Sequence, residues 1–418
     1  MRVALVCQHF PPELEGGTEV VVAAQARALA ELGHDVRVLA GSDTLLAPGA
    51  AELLRERVGD VEVTRLPRRA DEPYGLVLSR PRLLDHVLRE VADADVCHVH
   101  HWSTLDAHLV RSVAEKCPVV VTLHDHFTSC PRFFRRQPAA HDGPSCPHRG
   151  DVEPCVSCLA PDLPGYDERA LRRRLALRMH GFRGELEAAA VVLAPSRRRA
   201  DAASALLGLP PERIEVLPHG LCRPIERAAS PVPYHPDRRL VVLHFGNLCA
   251  EKGTLDLMQS LALLPPGSVE LRLAGRALDP GFGEVVGRLR ERLPVEHRPS
   301  CDPAALRELA GGADLAAFPS RLDESYGLVV DEALALGLPV WLSQRAAAGE
   351  RLAEWAATAR VLPAEEPAAW SAAFQGVRAA PRTLTEERRR VPRRLPTAMD
   401  AARRLTTIYD GIARGERA

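Results

Sequence analysis

Short apolar, β-branched runs alternate with longer stretches of helical period along the first half of the chain. Residues 2–7, 35–40, 61–66, 95–99, 118–123, 190–194 and 214–217 predict strands. Residues 18–32, stopped by Gly33, and 196–207 predict helices between them. Strands separated by helices predict an α/β fold with a parallel sheet covered on both faces. A Pro-rich stretch, 222–239, breaks the alternation and reads as a linker. The pattern then restarts, with strands over 240–245, 269–274, 313–318 and 339–342 and helices over 254–264, 282–292, 303–309 and 327–336. This predicts an N-terminal domain over 1–221, a second domain over 240–395, and a C-terminal helical segment, 396–418, free to pack back on the first.

At 418 residues the chain fits two such domains. It is 46% hydrophobic with a net charge of −1, so bulk charge gives no reason to expect a nucleic-acid partner. No run approaches the ~18 apolar residues of a membrane span. The chain opens on a strand without a signal peptide, and its ten cysteines then point to a reducing, cytoplasmic setting. All but two of the 54 basic residues are arginine. The exceptions, Lys116 and Lys252, and the single asparagine, Asn247, are therefore residues worth locating.

The strand ending at Phe318 runs into a polar loop and then a helix, placing Glu324 in the loop and Glu332 on the helix, with seven residues between. Loops at the C-terminal edge of a parallel strand, opening a helix, are where α/β proteins hold anions. Two carboxylates cannot hold phosphate themselves. They suit a polyol's hydroxyls beside a phosphate held by backbone N–H groups, which describes a nucleotide-sugar. Gly16-Gly17 precedes the first helix and lets backbone approach a phosphate. Phe245-Gly246-Asn247 leads to Lys252, whose compact charge suits a diphosphate; Asn247 can donate to the same group. His124 ends a strand, where it can bond a sugar hydroxyl. His98 and His100 share a strand face, but with His101 they lack a convincing ligand set.

Cys130, Cys146, Cys155 and Cys158 fall in a Pro- and Gly-rich insertion at about 127–165. Four thiols ending in C-x-x-C suit a structural, tetrahedral zinc ahead of a redox pair or an iron–sulfur centre. The other six cysteines read as packing residues. The basic stretch 169–183 offers peripheral contact with an anionic membrane, or simply a solvated helix face.

Taken together these residues resemble the retaining glycosyltransferase family 4, of GT-B fold with two facing Rossmann-like domains and a cleft between them. The resemblance spans nearly the whole chain: Gly16-Gly17, Leu32-Gly33-His34-Asp35-Val36, His124, Val216-Leu217-Pro218-His219-Gly220, Gly246 through Lys252-Gly253, and the two spaced glutamates. It implies that Glu324 bonds the donor sugar and Glu332 the nucleotide ribose. Backbone N–H groups of Tyr326, Gly327, Leu328 and Val329 would lie near the sugar and diphosphate. Lys252 would neutralise the leaving diphosphate, Gly17 approach it, and His124 contact the sugar. His124, Glu324 and Lys252 are the expected catalytic residues. No catalytic metal is implied, and the acceptor is a glycan, lipid or small metabolite. The cysteine insertion resembles one in a subset of bacterial members. Three positions depart from the family pattern: Asn247 replaces a frequent Arg, His219 replaces a usual Asn, and residues 343–350 replace a Gly-rich segment. The alternatives are a sugar-nucleotide hydrolase or epimerase of the same fold, and a non-catalytic assembly partner using the cysteine module.

Overall fold

The computed structural model describes residues 1–46, 52–67, 79–102, 104–136, 146–148, 151–228, 233–355 and 359–416. They divide into two compact units. The first combines Met1–Pro138, Pro144–Cys222 and Pro396–Ala418, and the second is built on Arg223–Leu395.

Eight strands form the first unit's sheet. They are β1 (Arg2–Cys7), β2 (Asp35–Ser42), β3 (Leu54–Val58), β4 (Val61–Pro67), β5 (Val96–Val99), β6 (Val119–Thr122), β7 (Val191–Ala194) and β8 (Ile214–Val216). The order is β3-β4-β2-β1-β5-β6-β7-β8, parallel except for the β3–β4 hairpin. After its first residue β1 is buried throughout, as the central strand of a sheet covered on both faces must be. One covering layer comes from the far end of the chain. The helix Ala398–Ala413 buries Ala402, Leu405, Ile408, Tyr409 and Ile412 in the same core as Val3 and Leu5. It starts at a capping box in which Thr397 and Asp400 satisfy each other's backbone N–H groups.

Six strands form the second sheet. They are β9 (Leu240–Phe245), β10 (Val269–Ala274), β11 (Val295–Arg298), β12 (Leu315–Phe318), β13 (Val340–Ser343) and β14 (Ala359–Leu362). All run parallel in the order β11-β10-β9-β12-β13-β14. Residues of the Pro-rich stretch pack within this unit, Ala228 and Tyr234 in its cores.

Strand order reverses direction once in each sheet, between β1 and β5 in the first and between β9 and β12 in the second. Loops leaving the C-terminal ends of strands at such a reversal splay apart and leave a crevice.

Candidate active site

In the second unit the two loops at the reversal carry Lys252 and Glu324. The loop after β9 passes Gly246 (φ +114°) and the exposed Asn247, and turns at Gly253 (φ +73°) into the helix Thr254–Ala262. A Cβ on Gly253 would overlap the carbonyl oxygen of Pro319 in the loop after β12. Glycine is thus what lets the two loops lie against each other. Arg321 fastens them further, its guanidinium forked onto Asp256 at 2.7 and 2.6 Å.

Lys252 Nζ lies 2.9 Å from Glu324 Oε1. Burial works to raise the Glu324 carboxyl, but the neighbouring ammonium wins and holds it below the usual range. Burial likewise opposes the charge on Lys252, and Glu324 outweighs it to raise the ammonium above its usual value. Each partner keeps the other ionised. Beneath them His244 donates from Nδ1 to Ala317 O (2.8 Å), which leaves Nε2 to accept from Thr254 Oγ1 (3.0 Å). Burial pushes this imidazole down to about 4, so it is a neutral spacer between the loops.

The helix Leu328–Ala335 begins at Gly327 (φ +80°). Its first N–H groups, at Leu328 and Val329, have no intrahelical partner by geometry and carry the positive end of the helix dipole. Tyr326 turns inward: its hydroxyl donates to Asp331 (2.7 Å) under the stacked guanidinium of Arg351. Its side chain is thereby committed to packing. Arg351 also bonds Tyr326 O, Gly327 O and Asp331, clamping the helix entry. Glu332 is gripped by Arg223 through two bonds of 2.7 and 2.8 Å, while Arg223 Nη1 reaches Cys301 O. Burial raises the Glu332 carboxyl despite Arg223.

In the first unit the reversal brings together the loops after β1, β5 and β6. Gly16 and Gly17 open the helix Gly17–Glu31, and Glu19 folds back so that its Oε2 lies 2.5 Å from where a Cβ on Gly16 would be. Its Oε1 faces His9 Nδ1 at 3.7 Å. His124 is buried, its Nε2 bonded to His100 Nδ1 at 2.9 Å and its ring stacked 4.9 Å from His219. His98 stacks on His100 and bonds the Tyr409 hydroxyl and Thr122. Burial takes His98 and His124 down to about 3. His124 is therefore a neutral hydrogen-bonding group near pH 7. His98 and His100, both fully buried, pack against it.

Part of the cysteine insertion, residues 137–145 and 149–150, lies outside the described residues. Among the described residues no group of three or more His, Cys, Asp or Glu side chains is placed to hold a metal ion. None of the ten cysteines is in a disulfide. Cys155 is pushed up to about 11 by burial first, then by Cys130, Cys146 and Cys158. The basic stretch forms the first part of the helix Glu168–Ala188. Its apolar stripe, Leu171, Leu175, Phe182 and Leu186, is buried in the first unit's own cores. Leu177 is the large apolar residue of the stretch left exposed, at 64%. No helix among the described residues is long and apolar enough to cross a membrane.

Sequence reasoning missed Arg223, Arg351 and Glu19. The two arginines meet partners 109 and about 20 residues away, in a chain where arginine is everywhere, so no local signal marks them. Glu19 was visible as the acidic residue in the first turn after the paired glycines.

Two family models match in tandem: Glycosyltransferase Family 4 over residues 15–222, and Glycosyl transferases group 1 over residues 239–378. The chain belongs to this family of glycosyltransferases. Among curated relatives it is 27% identical to D-inositol 3-phosphate glycosyltransferase 1 of Catenulispora acidiphila, over 78% of this chain and 73% of that one. It is 26% identical to the D-inositol 3-phosphate glycosyltransferase of Jonesia denitrificans, over 81% and 79%. Sucrose-phosphate synthase from Thermosynechococcus elongatus shares the fold at a TM-score of 0.67 and 19% identity, over 99% of both chains. Anabaena HepE, solved with UDP and glucose, does so at 0.57 and 19%, again over 99% of both. The fold is GT-B, with two Rossmann-like domains.

Proposed function

We propose that the protein moves a hexose from a nucleoside diphosphate sugar to an acceptor hydroxyl with retention of anomeric configuration. The observation that carries this reading is the Lys252–Glu324 pair at the reversal of the second sheet, beside the open N-terminus of the helix Leu328–Ala335. A diphosphate there meets an ammonium and unpaired backbone N–H groups, and a sugar meets a carboxylate that accepts from its hydroxyls. The anomeric carbon's bond to the diphosphate oxygen breaks as its bond to the acceptor oxygen forms on the same face, and the acceptor's proton passes to the departing diphosphate. Catalysis then consists of stabilising the charge that develops on the leaving group, the part assigned to Lys252. Glu332, oriented by Arg223, takes the ribose hydroxyls, and Gly246 and Asn247 border the diphosphate. In the first unit, Gly17 is assigned to the diphosphate and His124 to a sugar hydroxyl as a neutral partner. The relatives' names support glycosyl transfer, and the UDP-glucose complex of HepE, which shares the fold, supports a nucleotide-sugar donor.

Calorimetric titration with UDP-, GDP- and ADP-glucose tests it. One donor is expected to bind, and Lys252→Ala and Glu324→Ala to weaken it by about tenfold or more. Unchanged affinity in both variants rejects the enzyme reading and leaves the assembly partner. Donor cleavage at full rate, unaffected by every acceptor offered, favours the hydrolase.

The second proposal concerns Cys130, Cys146, Cys155 and Cys158, as ligands of a structural zinc. Besides their spacing, buried Arg178 supports it: Nε and Nη1 lack hydrogen-bond partners, and its charge is felt by the Cys130 and Cys155 thiols. A thiolate cluster would balance that cation. Metal analysis of natively purified protein is expected to find one zinc per chain; none, with all four thiols reactive, overturns it.

A further inference from the structure

His100 and His124 follow the neighbouring strands β5 and β6 of the first sheet. His100 Nδ1 lies 2.9 Å from His124 Nε2. The backbone N–H of His100 bonds Val6 O (2.8 Å), which anchors that residue to the central strand β1. Burial pushes His124 down to about 3 and His100 well below the ordinary imidazole value. Both rings are therefore neutral near pH 7, and each carries one N–H. A hydrogen bond between two neutral imidazoles has a direction, because one ring must donate and the other accept. That direction decides which nitrogen of His124 carries the proton.

The surrounding packing decides the direction. His100 Nε2 is buried and has no hydrogen-bond partner among the described residues. If His124 donated, His100 would hold its own proton on that nitrogen, as a buried N–H with nothing to bond. If His100 donates from Nδ1, its Nε2 is a bare lone pair. A buried donor without an acceptor is the rarer defect in folded proteins. His98 cannot relieve it. That ring stacks on His100 with centroids 4.1 Å apart, and both its nitrogens are already bonded, Nδ1 to the Tyr409 hydroxyl (2.6 Å) and Nε2 to Thr122 Oγ1 (2.7 Å). On the other side His219 stacks against His124, 4.9 Å away and 21° from parallel, which fixes the plane of the ring. The bond from His100 fixes its rotation within that plane.

We infer that His100 is a positioning residue, which donates from Nδ1 to His124 Nε2 and so holds His124 with its proton on Nδ1. Its effect on a bound sugar passes entirely through His124. Any sugar oxygen that His124 meets through Nδ1 then receives a hydrogen bond, whether or not that oxygen carries a hydrogen of its own. The inference rests on the sugar contact assigned to His124 above, and it gives that contact a direction.

The tautomer is read first, on the full chain without ligand. Isotopic labelling of the histidine ring nitrogens and long-range proton–nitrogen NMR tell a protonated nitrogen from a bare one, and the His124 signals are those lost in His124→Gln. His124 is expected with Nδ1 protonated and Nε2 bare; the reverse overturns the inference without any further variant. Two substitutions then test the consequence. His100→Phe keeps a ring against His98 and removes the donor, while His100→Asn returns an amide N–H near the Nδ1 position. Calorimetry uses whichever of UDP-, GDP- and ADP-glucose binds, beside the corresponding nucleoside diphosphate. His100→Phe is expected to weaken the sugar nucleotide by about tenfold or more and to leave the diphosphate within about twofold. His100→Asn should recover most of that loss. Equal losses in the two variants, a loss shared by the diphosphate, or no loss in His100→Phe would show that His100 only packs, and would overturn the inference. If none of the three sugar nucleotides binds the wild type, the transferase reading falls, and the tautomer measurement still decides the His100–His124 bond.

Discussion

Arg223 and Glu332 show how much of the site is decided by single distant pairs. The carboxylate is 4% exposed and its guanidinium 25%, so the pair is largely shielded from water. Removing one member of such a pair strands the other. Arg223→Leu is therefore expected to weaken donor binding by about tenfold or more, with Glu332→Gln giving a similar loss and the double variant little further loss. Calorimetry on the three variants decides it; additive losses would mean that the two residues act separately. Nothing in the sequence around Arg223 marks it, because its role is defined by a helix 109 positions later. Lys252 is the opposite case. Its rarity drew attention to it, and the structure puts it 2.9 Å from the loop glutamate that was singled out for other reasons.

At the scale of elements, legibility followed burial. The inner strands β1 and β9 are near-continuous apolar runs and β10 (VELRLA) alternates, and the limits of all three in the structure are those read from the sequence. The strands missed, β3 (LRERV), β11 (VEHR) and β14 (ARVL), all lie at sheet edges. An edge strand faces solvent on part of its surface and carries charge there, so its pattern resembles a loop. The loops of the site were legible as loops, but not how they lock together. Gly253 is the clearest lock. Gly253→Ala combines a left-handed backbone with a clash against Pro319 O, and is expected to cost about 2 kcal/mol or more in denaturant melts while also weakening donor binding. A variant as stable as the wild type would show that the loops part easily.

For the molecule as a whole, the buried histidines make acid the weak condition of the first unit. His98 and His124 stay neutral down to about pH 3 in the fold, whereas an unfolded chain protonates them near 6.5. Their folded values are depressed, so below 6.5 the unfolded state binds more protons and stability falls as pH falls. Each contributes about 1.4 kcal/mol per pH unit in that window. Urea melts of the full chain between pH 7 and 5 should show the transition assigned to the first unit moving to lower denaturant. His98→Gln should flatten the trend; an unchanged midpoint across that range would contradict it.

The helix Ala398–Ala413 has a consequence for the order in which the protein is made. It supplies Leu405, Ile408 and Tyr409 to a core whose other half, Val3 and Leu5, is translated first. Between them the ribosome delivers all of Arg223–Leu395. The second unit can therefore finish folding while the first still waits for its last layer, with an apolar sheet face uncovered in the interim. A chain stopped after Leu395 is expected to keep the second unit's unfolding transition and lose the first's. It should also be the form that chaperones retain.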